Sequence, residues 1–373
     1  MSRGGLALLL HAHLPFVRDP TDAGPRRDDW FLEALVECYL PLLAGWHRLD
    51  EEGIPFRLTF SISPTLLSMM LDPFLRSRSR AHLEALAGLA DREVERTGST
   101  GDLETALFYR DRIAWLRSFH DETCRGDLVG VLRRLEAAGR LELITTAATH
   151  GFLPGLRSAP SAVGAQLDVA LDLFESVFGH RPAGFWLPEC GYYPGVEAEL
   201  GRRGIRWFVV ESDALLRGTP RAPLGIHGPI HTAAGVAAFP REPAASRQVW
   251  SSWLGYPGDP DYREVYRDIG WHLDLDYLEP WLPPGRARKD TGFKYHRVTG
   301  PTEAKAPYVR SWAIEKAARH AQHFLDERRA AIERAAGELP RPPIHLVPFD
   351  AELFGHWWFE GPEWLDFLVR KTV

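Results

Sequence analysis

Glu189 closes a short apolar run, GFWLPECGYYPG (Gly184–Gly195), that stops abruptly on Pro188, Glu189 and Cys190. Parallel α/β folds keep their chemistry at the carboxyl ends of buried strands, so a carboxylate in that position is a candidate catalytic group. A solvated loop glutamate is the plainer reading of the same residue. Asp350 ends another such run, Ile344–Phe349. If both runs belong to one sheet, two carboxyls meet on one rim. Glycoside cleavage needs such a pair: one carboxylate attacks the anomeric carbon or activates water, and the other carboxyl protonates the departing oxygen.

His11 and His13 follow a first run, Leu6–Leu10, and His150 follows Leu141–Thr145. Two residues apart on an extended chain, His11 and His13 project to the same side. They are suited to holding a metal with Asp350 or His150, to hydrogen bonding with substrate hydroxyls, or to a purely structural role with buried partners. Cys190 beside Glu189, with His150 as base, is a weaker thiol-nucleophile reading, because no activating helix start surrounds it.

The elements that must position these groups are seven short runs: Leu6–Leu10, Phe56–Phe60, Leu141–Thr145, Gly184–Leu187, Trp207–Val210, Val236–Phe239 and Ile344–Phe349. Most are continuous rather than alternating, as strands buried on both faces of a parallel sheet are. Polar residues follow nearly all of them, including Ser61 and Ser63, Glu211 and Asp213, Arg241 and Glu242, and Glu352. Helical patterns lie between most of the runs, and predict an irregular seven-stranded β/α barrel, with a flat doubly wound sheet as the alternative.

Two segments exceed a simple crossover. Residues 72–139 read as a helical insertion, with helices expected over Ala81–Glu95, Leu103–Phe119 and Leu128–Ala138. Residues 240–307 are rich in Pro, Gly and aromatics (Trp250, Trp253, Tyr256, Tyr262, Tyr266, Trp271, Tyr277, Trp281) and read as a lid, whose rings serve either as sugar platforms or as a satellite core. Tyr308–Gly337 is amphipathic and helical, with His320 and His323 on one polar face. The whole is expected to be a single catalytic domain over residues 1–373.

Composition narrows the class. With 373 residues, 45% of them hydrophobic, and a formal net charge of −6, the chain gives no electrostatic reason to bind nucleic acid. No apolar run is long enough for a membrane span. Cys38, Cys124 and Cys190 form no CxxC pair and do not suggest a disulfide framework, which favours a reducing compartment and a cytoplasmic protein. Gly5–Leu10 is too short for a signal peptide and runs directly into His11. No Gly-rich phosphate loop occurs, and aromatics beside paired carboxyls suit a sugar better than a phosphate.

Four stretches carry a resemblance. HAHLPF (His11–Phe16), TTAATHGFLP (Thr145–Pro154), WLPECGYYPG (Trp186–Gly195) and PFDAELFGHWWFEGP (Pro348–Pro362) resemble, in order, motifs of glycoside hydrolase family 57. YPGDPDYREVYRDIG (Tyr256–Gly270) resembles that family's 1,4-α-glucan branching enzymes in particular. The resemblance implies an incomplete seven-stranded β/α barrel, a retaining mechanism, no metal or other cofactor, and α-1,4-glucan as substrate. It gives Glu189 the nucleophile's place and Asp350 that of the general acid/base. His11, His13 and His150 match histidines around the reacting sugar, which displaces the metal reading, and Trp30, Trp271 and Trp357 match substrate-contacting aromatics. Branching is the leading activity, with α-amylase or 4-α-glucanotransferase on the same scaffold, glucan binding without turnover, and a metal-dependent deacetylase as alternatives. Two departures are expected to favour water over an acceptor sugar: the helical C-terminal domain of the branching enzymes has no counterpart before Val373, and His231 stands where they tend to carry a loop tyrosine.

Overall fold

The apolar runs become strands of one curled sheet. The computed structural model describes residues 4–20, 28–251, 255–282 and 287–373; Trp253 lies outside the described residues. In chain order the strands are β1 (Gly5–Ala12), β2 (Leu58–Ile62), β3 (Leu141–Thr146), β4 (Gly184–Trp186), β5 (Trp207–Val210), β6 (Ile230–His231), β7 (Ala237–Pro240) and β8 (Ile344–Asp350). They lie in the order β6-β7-β5-β4-β3-β2-β1-β8. Every neighbouring pair is parallel except β6 with β7. All seven expected strands are present; β6 is an addition, and β2 begins two residues later than expected, at Leu58 rather than Phe56.

The sheet curls until the chain leaving β7 reaches β8. A single bridge pairs Arg241, just past β7, with Leu346 in β8, and the Glu242 N–H donates to the Leu346 carbonyl at 2.8 Å. β8 continues for four more residues, to Asp350, while β7 has already ended at Pro240. The helix Pro243–Trp250 takes over there, with Pro in its first turn and the Glu242 carboxylate accepting from the Ala244 and Ala245 N–H groups. Arg328 of the long helix Arg310–Glu338 pairs with the same buried carboxylate and pins the helix start.

Side-chain alternation decides what faces the barrel axis. Leu9, Ile144, Trp186, Val209 and Leu346 meet inside, with Ala7, Trp207 and Phe239 against them. Their neighbours Leu10, Phe60, Leu143 and Phe349 point outward into the large core shared with the helices. Gly184 is required at the start of β4 because a Cβ there would lie 2.2 Å from the Trp207 ring. Counting upward by twos, the next inward positions after Leu9 and Leu346 include His11 and Asp350, which are directly paired across β1 and β8. The parity that packs the lumen therefore also selects the residues at its mouth.

Between β2 and β3 run the helices Pro64–Leu71, Pro73–Thr97, Leu103–Ser118 and Leu128–Ala137. Ser63 and Asp72 cap the first two, each just before a proline. The segment after β7 is tied to this helical layer: Tyr277 and Tyr295 donate to buried Glu93 at 2.8 and 2.7 Å. Its aromatics divide. Tyr256 and Tyr262 are buried against Trp358 and His320 as part of the main core, whereas Trp250, Tyr266 and Trp271 are exposed. Tyr256 and Tyr262 also satisfy His323 and His320 respectively, each at 2.8 Å.

Candidate active site

The histidines assemble first, because the ends of β1 and β3 deliver them to the same side of the barrel mouth. His11 bonds through Nδ1 to Ser61 Oγ at 3.0 Å and through Nε2 to His150 Nε2 at 3.0 Å. Its ring lies on Trp186, with centroids 4.9 Å apart, and His13 stacks on His150 at 4.0 Å. Two ring nitrogens can share one proton only if at least one imidazole is neutral. Burial, reinforced by the neighbouring imidazoles, pushes His11 well down and His13 down to about 4; burial also lowers His150. The cluster is therefore a neutral wall of hydrogen-bonding edges at ordinary pH. Among the described residues no group of three His, Cys, Asp or Glu side chains is arranged to hold a metal ion.

His13 is fixed from behind. Its backbone N–H donates to Glu352 Oε1 at 2.9 Å, and the buried Tyr39 hydroxyl donates to the same oxygen. Glu352 follows β8 in a short 3₁₀ turn and is pushed up to about 8, chiefly by burial, so its carboxyl holds a proton at neutral pH.

Glu189 sits in a tight 3₁₀ turn after β4 with φ 56° and ψ 25°, and Cys190 follows at φ 52°. His150 is also left-handed, at φ 54°. Three non-glycine residues in this sparsely used region converge on one cleft, where local strain is commonly held by the surrounding structure. The turn lifts Glu189 out of the strand: its side chain is 76% exposed, with Oε1 4.0 Å from His150 Nδ1. Asp350 lies on the facing arc, raised to about 6 by burial and then by the Glu189 charge, against a downward pull from Arg241. The two carboxyls thus sense one another but occupy opposite surroundings, one solvated and one buried, where it keeps its proton to a higher pH than an ordinary aspartate. Cys190 is buried and pushed up to about 12, a thiol with no nucleophilic character at working pH.

These groups line a cleft of about 600 Å³. His11, His13, His150, Glu189 and Asp350 are all there, as expected. Trp186, Glu211, Arg241, Ser246, Arg247, Trp250 and Glu352 join them. Ser61, Glu211, Arg241 and Glu352 are visible in the sequence as polar residues after strands, but Trp186 needed the inward parity of β4, and Trp250 needed the helix that replaces the upper part of β7.

Four expected contacts are not brought to this cleft. Trp30, Trp271 and Trp357 are about half exposed and do not line it. Trp271 donates to Asp290 at 2.6 Å, and the adjacent Lys289 bridges to Asp29, next to Trp30, so those two indoles flank a separate surface segment. His231 is placed at the wrong end of the barrel: in β6 it pairs with Ala237, the first residue of β7, whereas the cleft opens where β7 ends. The tight turn from Thr232 to Val236 forces this, because it folds β6 back antiparallel along β7.

Comparison with known proteins identifies the family and the fold. The model of glycosyl hydrolase family 57 matches residues 7–335. A 1,4-α-glucan branching enzyme of Thermococcus kodakarensis is 31% identical over 399 residues, which take in 97% of this chain and 54% of that protein. The chain thus spans about half the length of that relative. Among solved structures, the α-amylase AmyC of Thermotoga maritima superposes with a TM-score of 0.94 at 38% identity, over 99% of this chain and 71% of that one. A branching enzyme of the same family from Pyrococcus horikoshii superposes at 0.86 with 32% identity, over 100% of this chain and 67% of that one.

Proposed function

The chain belongs to glycosyl hydrolase family 57, and from that premise we propose that its cleft breaks an α-1,4-glucosidic bond with retention and passes the glucan to a 6-hydroxyl. The observation that carries the reading is the contrast between buried Asp350, raised to about 6, and solvated, left-handed Glu189 at the mouth of one barrel. In the first step a Glu189 oxygen attacks the anomeric carbon while Asp350 gives its proton to the departing glycosidic oxygen. Asp350, now a carboxylate, then takes the proton from the incoming hydroxyl as the bond to Glu189 breaks. The neutral histidine wall donates and accepts hydrogen bonds to the ring being transferred, and buried Glu352 and Tyr39 hold that wall in place.

Incubation with amylose, followed by separate assays of branch points and reducing ends, tests the reading. New branch points from the wild type, with both products abolished in Glu189→Gln, are expected. Retained amylose binding with no product of either kind would overturn it. Hydrolysis is the second reading, favoured by the likeness to an α-amylase; reducing ends accumulating without branch points would select it.

A further inference from the structure

Given the catalytic reading above, the glucan must pass between Glu189 and Asp350, with one sugar on each side of the bond that breaks. The histidines fill the arc from β1 to β3, with His150 Nδ1 4.0 Å from Glu189 Oε1, so on that reading they face the sugar that becomes attached to Glu189. The remaining arc runs from β5 through β7 to β8 and is lined by Glu211, Arg241, Ser246, Arg247 and Trp250. We propose that this arc is the aglycone subsite, which holds first the leaving sugar and then the acceptor, with Trp250 as stacking platform and the Arg241–Glu211 pair as its hydrogen-bonding edge.

The wall is built for a neutral polyhydroxyl ligand. Arg241 reaches Glu211 Oε1 at 2.8 Å through one terminal nitrogen and Ser246 Oγ at 3.0 Å through the other, which fixes the plane of the guanidinium. A guanidinium held in this way still offers N–H donors, and a carboxylate with one oxygen engaged still accepts, so together they match both sides of a sugar hydroxyl. Trp250 is 42% exposed at the last position of a helix whose start is pinned by buried Glu242 and Arg328. An exposed indole on a rigid element at a cleft wall presents an apolar face to the C–H side of a sugar ring. The position follows from the fold. β8 runs on four residues past its bridge to Arg241, where β7 has already ended, and the end of the helix that follows β7 lines the same cleft as Asp350, the group that must face the leaving oxygen. In transfer, the acceptor 6-hydroxyl oxygen bonds to the anomeric carbon, the bond to Glu189 breaks with its electron pair returning to the carboxylate, and the hydroxyl proton goes to Asp350.

α-Maltotriosyl fluoride as donor and maltotriose as acceptor separate the two sides, because fluoride leaves without an aglycone sugar. Fluoride release reports formation and loss of the glycosyl-enzyme, and transfer product reports capture by the acceptor. For Trp250→Ala the acceptor concentration giving half-maximal transfer is expected to rise about tenfold, the worth of one lost ring stack. The fall in transfer should exceed any fall in fluoride release several-fold, with partial recovery in Trp250→Phe. Glu211→Gln, which preserves size, is expected to move the same acceptor dependence in the same direction. Equal falls in fluoride release and transfer would assign this wall to the donor sugar and overturn the proposal, as would an unchanged acceptor dependence in both Trp250→Ala and Glu211→Gln. A wild type that releases no fluoride at all would overturn the catalytic reading itself, and this subsite with it.

Discussion

Asp350→Asn is expected to make the protein more stable as it makes it inactive, and the gain must depend on pH in a specified way. In the fold the Asp350 carboxyl is raised from its ordinary 3.8 to about 6, first by burial and then by Glu189. A raised acid binds more protons folded than unfolded, so stability falls as pH climbs between those two values and is level on either side. A shift of about two units corresponds to about 3 kcal/mol lost by pH 7. Asparagine has nearly the same shape and does not titrate. The difference in stability between variant and wild type should therefore be flat below pH 4, rise by about 3 kcal/mol through the window from pH 4 to 6, and then stay level. For a chain of this size that is roughly 4 °C in melting temperature. Thermal unfolding of both proteins at unit steps from pH 3.5 to 8, without ligand, measures it. A difference that is the same at pH 4 and pH 8 would show that folding does not raise the Asp350 carboxyl, and would remove the basis for its role as general acid.

The same carboxyl sets the rate profile: kcat/KM on amylose should fall about tenfold per pH unit above pH 6, as the proton-donating form disappears. Glu352→Gln keeps an oxygen to accept from His13 and Tyr39 but abolishes a titration raised from 4.5 to about 8. It should add up to about 5 kcal/mol, developing across that window and readable by the same pH series. His231→Tyr should leave the ratio of reducing ends to branch points unchanged, because β6 lies at the end of the barrel opposite the cleft; a changed ratio would refute that placement.

How much of the site was legible depended on what each residue type implies about its neighbours. A strand buried on both faces must be apolar until it leaves the sheet, so the polar residues that end the runs marked the rim, and His11, His13, His150, Glu189 and Asp350 came together as read. Parity carries further than the runs themselves. Once Leu9 and Leu346 face the lumen, His11 and Asp350 must as well. The wall at β7 was harder to read because the strand is cut short and a helix completes the barrel. Its signals are Pro240, which ends a strand, and Glu242-Pro243, which starts a capped helix. The tryptophans mark the limit. An indole is equally useful packed, stacked on a sugar or lying on the surface, and nothing local to Trp30, Trp271 or Trp357 distinguishes these, whereas Trp250 acquires its place only from the helix that carries it.

The cleft's electrostatics argue independently for the class of ligand. Glu189, Glu211, Asp350 and Glu352 face Arg241 and Arg247, and Arg241 is already engaged by Glu211 and Ser246. With Glu352 holding its proton and Asp350 raised toward neutrality, a phosphate or carboxylate ligand entering here would meet no excess of positive charge, in a chain that is itself net acidic. The histidine wall adds no charge to offset this, since burial keeps His11 and His13 neutral. What the cleft does offer is paired donors and acceptors on both walls, with aromatic faces at Trp186 and Trp250. A neutral ring with hydroxyls on its edge and C–H groups on its face uses all of these at once. An anion would find at most one uncommitted cation, with the Glu189 carboxylate in the same cleft.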